Sequence, residues 1–240
     1  MKIQLNIPVR ILIMVTLFSM AMGYLESAVV VYMREILYPA GFDFPLAPIE
    51  MNLAITEIIR EAATLIMLLA IGLVAGKSSA EKFAWFLYSF AIWDIFYYIF
   101  LKLLIGWPES LLTWDILFLI PVTWLGPVIT PVIVALTMIL LALVLMHFSQ
   151  PPGKVRIIAR EWAVFILGSI ILILSWTWDY SGYILEHFSF LEIWTIPKGE
   201  LFEAAQEYIP RKFNWGIFAA GELIVLSGIA LIFLRLRRNQ

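Results

Sequence analysis

Six stretches of this chain are apolar for long enough to cross a lipid bilayer as helices, and they constrain its fold more than any other feature. Because a helix rises about 1.5 Å per residue, roughly 20 apolar residues span the hydrocarbon core. The sequence therefore predicts an all-α protein, a polytopic bundle of six transmembrane helices that forms a single domain over residues 1–240. The predicted helices cover residues 9–33, 51–75, 82–106, 126–147, 161–185 and 214–235.

Composition agrees with a membrane location. The chain is 62% hydrophobic and 14% charged, whereas soluble domains are nearer half apolar and a quarter charged. Cysteine is absent, which excludes disulfides, thiolate metal sites and cysteine nucleophiles. Ten tryptophans and nine tyrosines suit a protein that meets two water–lipid interfaces. The net charge of −2 gives no indication of nucleic-acid binding, and none is expected.

The N-terminal segment has two interpretations. Lys2 and Arg10, followed by "ILIMVTLFSMAMG", resemble a signal peptide with a small-residue cleavage site near Gly23. The apolar run continues through "SAVVVYM", however, and so reaches the length of a complete crossing. We therefore expect a retained first helix.

Basic residues predict the orientation of the bundle. They concentrate at the N-terminus, in the second and fourth connections and at the C-terminus, which all lie on one side of a six-helix protein. By the positive-inside rule, both termini are expected in the cytoplasm and the protein in the inner or plasma membrane. The residues concerned are Lys2, Arg10, Lys77, Lys82, Lys154, Arg156, Arg160, Arg235, Arg237 and Arg238.

Two connections need separate treatment. Residues 110–125 are too short for a seventh crossing, and Pro121 and Pro127 interrupt helical hydrogen bonding there. This Pro-broken segment before helix 4 is either a half-helix or re-entrant turn on the outer side, or a kinked helix with an interfacial start. The connection at 186–213 is predicted to lie on the outer surface and to contain a short amphipathic helix at 199–208.

Away from the helix ends, the charged residues within the predicted helices lie in the middle and the outer half of the membrane, and the inner halves are nearly free of charge. A charge at the bilayer centre costs at least ~3 kcal/mol on insertion scales, so this shared depth favours one cavity that opens outward. Helix 2 carries three of these residues on one face, since Glu57, Arg60 and Glu61 have i, i+3 and i+4 spacing. The others are Glu26, Asp94, Asp179 and Glu222 on helices 1, 3, 5 and 6.

The predicted site combines carboxylates, one guanidinium and aromatic side chains. Paired acids could act as general acid and base, and the catalytic candidates are Glu57, Glu61 and Asp94. The ligand-binding candidates are Glu26, Arg60, Trp93, Tyr97, Tyr98 and Trp124. Oxygen ligands favour hard cations such as Mg²⁺, Ca²⁺ or Mn²⁺, and the candidate metal ligands are Glu26, Glu57, Glu61 and Asp94. Because the chain has two histidines, neither a haem nor a multi-histidine metal site is expected.

Structural interpretations of the same residues stay open. Arg60 could form a buried ion pair with Glu57 or Glu61 that locks two helices together. The aromatic side chains could serve packing or the interfacial belt. Asp179 could be merely interfacial and Glu222 could pair helices, so whether these two acids join the site is not decided by the sequence.

Four segments resemble a family of uncharacterised prokaryotic integral membrane proteins. They are "GYLESAVVVYMRE" (23–35), "EIIREAATLIML" (57–68), "FAIWDIFYYIFLK" (90–102) and "WPESLLTWDILFLIPVTWLGPV" (107–128). The likeness covers roughly residues 20–135 and implies no activity. It falls on the same segments as the candidate site.

Three functions fit these patterns. The first is an outward-facing intramembrane site that binds a divalent cation or a polar-headed, lipid-like ligand from the membrane, possibly with catalysis on it. The second is a structural or assembly subunit, with other membrane proteins as partners. The third is cation or proton-coupled transport, against which counts the near absence of polar residues in the inner halves of the helices.

Overall fold

The structure, a computed structural model, consists of six long helices and one short β-hairpin, and it describes residues 8–39, 41–120, 122–149, 155–189 and 207–238. Each helix is long and apolar enough to cross a membrane, so the predicted six-helix membrane bundle is confirmed. The helices are α1 Val9–Leu37, α2 Met51–Ala75, α3 Ser79–Ile105, α4 Ile129–Phe148, α5 Ala159–His187 and α6 Trp215–Arg238.

The helix ends follow local chemistry. At the start of α3, the Ser78 hydroxyl accepts a hydrogen bond from the backbone N–H of Glu81 (3.3 Å), which caps the helix. The helix ends at Gly106, whose φ of 70° is left-handed, a conformation that glycine adopts without steric penalty. At the start of α5, the Glu161 carboxylate accepts a hydrogen bond from the N–H of Ile158 (3.0 Å).

A two-stranded antiparallel hairpin, β1 Trp114–Phe118 and β2 Trp124–Pro127, occupies the Pro-broken segment before α4. Neither the half-helix nor the kinked helix that the sequence allowed is therefore formed over these strand residues. A short apolar run fits a strand as well as a helix, and a proline in the sequence between the two strands disfavours a helix that runs through both. Two further backbone bonds, Val128 N–H to Thr113 (3.0 Å) and Ile129 N–H to Leu111 (2.8 Å), fix the hairpin to the start of α4.

Helix α3 is the centre of the bundle and packs against α1, α2 and α4, while α5 packs mainly against α6. Small residues allow these close approaches. A Cβ on Gly23 would lie 2.9 Å from the carbonyl oxygen of Trp93, and one on Gly72 would lie 2.8 Å from the carbonyl oxygen of Lys82. The Ser27 hydroxyl also donates a hydrogen bond from α1 to the carbonyl oxygen of Tyr97 on α3 (2.9 Å).

The two ends of the bundle differ in how completely side chains fill the space between the helices. At the terminal end, where α2 leads into α3 and α5 begins, a continuous cluster of buried apolar side chains joins α3, α4, α5 and α6, with Trp85, Leu145 and Ile232 among its members. At the hairpin end, where α1 leads into α2 and α3 leads into the hairpin, the helices enclose a cavity. The predicted surface helix at 199–208 falls largely outside the described residues.

Candidate functional site

The cavity at the hairpin end has a volume of about 370 Å³ and is bounded by α1, α2, α3, the hairpin and the α1–α2 connection. That volume lies at the lower end of the range for small-molecule pockets. The cavity brings together eight of the nine residues that the sequence singled out as candidates. They are Glu26, Glu57, Arg60, Glu61, Trp93, Asp94, Tyr97 and Tyr98.

Arg60 is the counter-ion of two carboxylates. Its Nε and Nη2 atoms each lie 2.7 Å from Oε2 of Glu57, one turn earlier on α2, and its Nη1 atom contacts the Glu26 carboxylate on α1. The hydroxyl of Thr64 donates a further hydrogen bond to Glu26 (3.3 Å). The buried ion pair that the spacing of α2 allowed is therefore formed, and it joins α2 to α1.

Glu61 is engaged by the hairpin instead of by Arg60. Both of its carboxylate oxygens accept a hydrogen bond from the backbone N–H of Leu119, at 3.0 and 2.9 Å. Because Leu119 follows β1 directly, this contact fixes the end of the strand to α2. Glu57 and Glu61 thus have separate partners, and no described hydrogen bond joins them as a carboxylate pair.

Asp94 differs from the other acids of the cavity. Its carboxylate makes no hydrogen bond and no ion pair with any side chain or backbone group in the described part of the chain. The adjacent residue on α3, Trp93, is 7% exposed, and its indole Nε1–H likewise has no acceptor among the described residues. Buried polar groups normally have a hydrogen-bond partner, so the indole N–H of Trp93 offers a bond to an occupant of the cavity, and the half-buried carboxylate of Asp94 lies beside it in the same wall.

Arg34 and Asp115 also line the cavity, and sequence reasoning missed both. Arg34 Nη2 lies 3.4 Å from Oδ1 of Asp115, and the guanidinium lies over the rings of Trp107 (3.7 Å) and Phe42 (4.2 Å). Tyr98 donates a hydrogen bond from its hydroxyl to Asp115 (3.2 Å). The sequence indicated one cation in the site, Arg60, whereas the cavity contains two, Arg34 and Arg60.

Burial raises the pKa of Asp115 to about 6, although Arg34 and the Tyr98 hydroxyl oppose the rise. A second unsatisfied donor lies beside this pair, since Arg34 is 8% exposed and its Nη1 atom has no acceptor among the described residues. With Asp115 and Arg34 included, the cavity wall carries five carboxylates and two guanidinium groups.

Three residues that the sequence raised lie elsewhere. Trp124 is not among the lining residues of the cavity and stacks on Trp176, with ring centroids 5.5 Å apart, so the structure does not bring it together with the other candidates. Asp179 accepts hydrogen bonds from the Tyr208 hydroxyl (2.6 Å) and the Arg211 N–H (2.8 Å). Glu222 accepts a hydrogen bond from Thr137 between α6 and α4. Neither Asp179 nor Glu222 belongs to the cavity wall.

The predicted four-carboxylate metal site is not supported. Across the described residues, no group of three or more His, Cys, Asp or Glu side chains is arranged to hold a metal ion. The reason is local pairing, because Arg60 engages Glu26 and Glu57 while the hairpin backbone engages Glu61. A carboxylate in such a pair does not turn its oxygens toward a common ion.

Comparison of the chain with protein-family models, with curated proteins and with solved structures finds no match. The resemblance of residues 20–135 to a prokaryotic membrane family therefore receives no support from these comparisons. What the protein does must be argued from the cavity.

Proposed function

We propose that this membrane protein binds a single-chain, lipid-like ligand with a polar head group, and that the head group occupies the cavity at the hairpin end. The observation that carries the proposal is the cavity of about 370 Å³ inside the bundle, in which charged and apolar side chains share one wall. That volume accommodates a head group and the first part of one chain, but not a pair of acyl chains.

The apolar part of the wall supports an amphipathic ligand over a purely polar one. Apolar side chains of the cavity wall come from α1, from the α1–α2 connection and from the start of α2. Examples are Val30, Met33, Leu46 and Ile58. Helices α1 and α2 touch each other over a short stretch, although both pack closely on α3. The gap between them offers a lateral path from the membrane.

The terminal end supports binding over transport. A permeation path would need polar or hydrated groups through the whole bundle, whereas the terminal half is filled by the apolar cluster around Trp85, Leu145 and Ile232. The distribution of Lys and Arg in the sequence supports an outward orientation of the hairpin end, by the positive-inside rule. The ligand would then enter from the outer leaflet.

A quenching experiment tests the proposal. The protein is purified, reconstituted in nanodiscs and titrated with a single-chain amphiphile brominated near its head group, and tryptophan fluorescence is followed. Because Trp93 lines the cavity, we expect a saturable quenching component that the unbrominated amphiphile reverses. Replacement of a small cavity residue, Ala54→Phe, should abolish that component by filling the space.

The matched control is Ala63→Phe on the same helix. Ala63 is exposed on the lipid-facing side of α2, so this variant adds the same side chain without entering the cavity. Saturable quenching that survives Ala54→Phe, or that is lost equally in both variants, would contradict the proposed site.

A further inference from the structure

The end of the cavity that lies deepest in the bundle holds the adjacent residues Trp93 and Asp94, and the indole N–H of Trp93 has no acceptor among the described residues. Within the described helices, no lining residue precedes Glu26 on α1 or Trp93 on α3, and none follows Thr64 on α2. Since α1 and α3 run toward the hairpin end and α2 runs away from it, these residues mark the closed end. A ligand that enters head-first places its terminal group there.

We propose that the ligand's head group ends in an ammonium ion with a neighbouring oxygen atom, that Asp94 binds the ammonium, and that Trp93 Nε1 donates a hydrogen bond to the oxygen. This inference rests on the proposed function and specifies its ligand class, a long-chain amine with a hydroxyl or ether oxygen beside the nitrogen. The alternative is a protonated Asp94 that contacts a neutral head group.

Charge balance favours a cationic group. Four of the five cavity carboxylates have a protein partner, since Glu26 and Glu57 contact Arg60, Asp115 contacts Arg34 and Glu61 accepts from the hairpin backbone. No hydrogen bond or ion pair of Asp94 is found among the described residues, although it lines the same cavity. Two guanidinium groups cannot neutralise five carboxylates, and in a medium of low dielectric constant the excess attracts a cation.

The surroundings of Asp94 suit an organic cation. Trp93 and Tyr97 are stacked with ring centroids 6.5 Å apart, and Tyr97 meets Tyr98 edge-on at 4.8 Å. All three line the same cavity as Asp94. Aromatic faces attract ammonium groups through the negative potential above the ring, and a carboxylate beside them supplies a charge-assisted hydrogen bond.

The unsatisfied N–H groups independently indicate an occupant with acceptor atoms. Trp93 and Arg34 are each more than nine-tenths buried, line the cavity and keep one N–H without an acceptor in the described structure. An ammonium alone satisfies neither donor. An oxygen next to the nitrogen satisfies Trp93 while the nitrogen remains at Asp94.

The test measures displacement of a radiolabelled form of the brominated reporter from nanodiscs at neutral pH, so that the measurement does not depend on the fluorescence of Trp93. The probes are dodecylamine, dodecanol and the dodecyl amino alcohol that carries a hydroxyl beside its ammonium. We expect the amine to bind about tenfold more tightly than the alcohol, as a charge-assisted hydrogen bond provides. The amino alcohol should bind more tightly than the amine.

Each variant removes one of these preferences. Asp94→Asn should bring the amine and the alcohol to equal affinity, while Trp93→Phe should bring the amino alcohol to the affinity of the amine and leave the amine's preference over the alcohol intact. Glu222→Gln is the control, because Glu222 is a buried acid of the bundle that lies outside the cavity wall and bonds to Thr137. It should change neither preference.

The outcomes separate this inference from the proposed function. If the reporter binds but amine and alcohol compete equally in the unmodified protein, the cationic head group is wrong and the cavity remains a lipid-like site. If the amine preference persists in Asp94→Asn, Asp94 is not its origin and the inference fails. If the reporter does not bind in the cavity, the proposed function itself fails.

Discussion

The two halves of helices α1–α3 are built from the same helices and meet opposite demands. In the terminal half, apolar side chains fill the space, and Leu68, Ala84 and Ala91 are inaccessible to solvent. In the hairpin half, the same helices diverge around charged groups and leave a cavity. These helices can therefore pack closely. The cavity at the hairpin end arises from the residues that the sequence places there.

Buried acids show the same contrast. Glu222 lies in an apolar part of the bundle, where a single hydroxyl, that of Thr137, binds it. The cavity acids are instead held by guanidinium groups and by hairpin backbone, with Asp94 left over. Glu222 thus has one neutral donor for one of its two oxygens, whereas the cavity gathers five carboxylates around two guanidinium groups.

Loss of Arg60 should have the largest effect on stability. Arg60→Gln leaves Glu26 and Glu57 without their cation, and removal of one partner from a buried ion pair typically lowers the free energy of unfolding by about 3–5 kcal/mol. Arg235→Gln breaks the Arg235–Glu161 pair (2.6 Å) near the terminal end, where Glu161 keeps its bond to Ile158. Measured by unfolding in mixed micelles, Arg235→Gln should lower the free energy of unfolding less than Arg60→Gln does. The double variant Arg60→Gln/Glu57→Gln should recover part of the stability that Arg60→Gln loses.

A pH series should isolate Asp115. Its pKa is raised to about 6 by burial, so the folded protein holds this proton more tightly than the unfolded chain does. The resulting contribution to stability is complete below about pH 4 and is lost as the pH rises through 6. Between those limits, the free energy of unfolding should fall relative to that of Asp115→Asn by up to about 3 kcal/mol. Parallel pH curves for the two proteins would contradict this.

Added volume should distinguish the halves within one helix. A Cβ on Gly72 would lie 2.8 Å from backbone atoms of α3, so Gly72→Ala should lower the free energy of unfolding by about 1–3 kcal/mol through overpacking. Ala54→Phe adds a much larger side chain to the hairpin half of α2, where the cavity receives it. Equal destabilisation by the two changes in thermal unfolding would show that the cavity is not available space.

The smallest effect is expected from Trp124→Phe. The indole N–H of Trp124, like that of Trp93, has no acceptor among the described residues, but Trp124 stacks on Trp176 outside the cavity. Phenylalanine keeps most of that contact, so stability should change by less than about 1 kcal/mol. Affinity for the amino alcohol should stay as it is, in contrast to Trp93→Phe.

The fold was predicted from the lengths of the apolar segments. The six helices were placed with every end within four residues of the observed one, the largest difference being residue 33 against Leu37 in α1. That difference had a consequence, since it put Arg34 in a loop and hid it from the site. The hairpin was missed because short apolar runs do not distinguish strand from helix, and Asp115 was missed with it.

Helical spacing carried the prediction of the site. The i, i+3, i+4 pattern put Glu57, Arg60 and Glu61 on one face, and the structure gathers all three with Asp94 at the cavity. Partner choice was not readable, because Glu61 pairs with the backbone of Leu119, a contact 58 residues away along the chain. The position of the Trp124 side chain was not readable for the same reason, since its direction depends on the register of the hairpin.

The most direct test is to locate the ligand by anomalous diffraction. Crystals of the protein would be grown with a dodecyl amine that carries a bromine atom close to its nitrogen. Binding as proposed predicts a bromine peak inside the cavity beside Asp94 and Trp93, which weakens in Ala54→Phe. A bromine peak confined to the lipid-facing surface of the helices, with the cavity free of the amine, would contradict it.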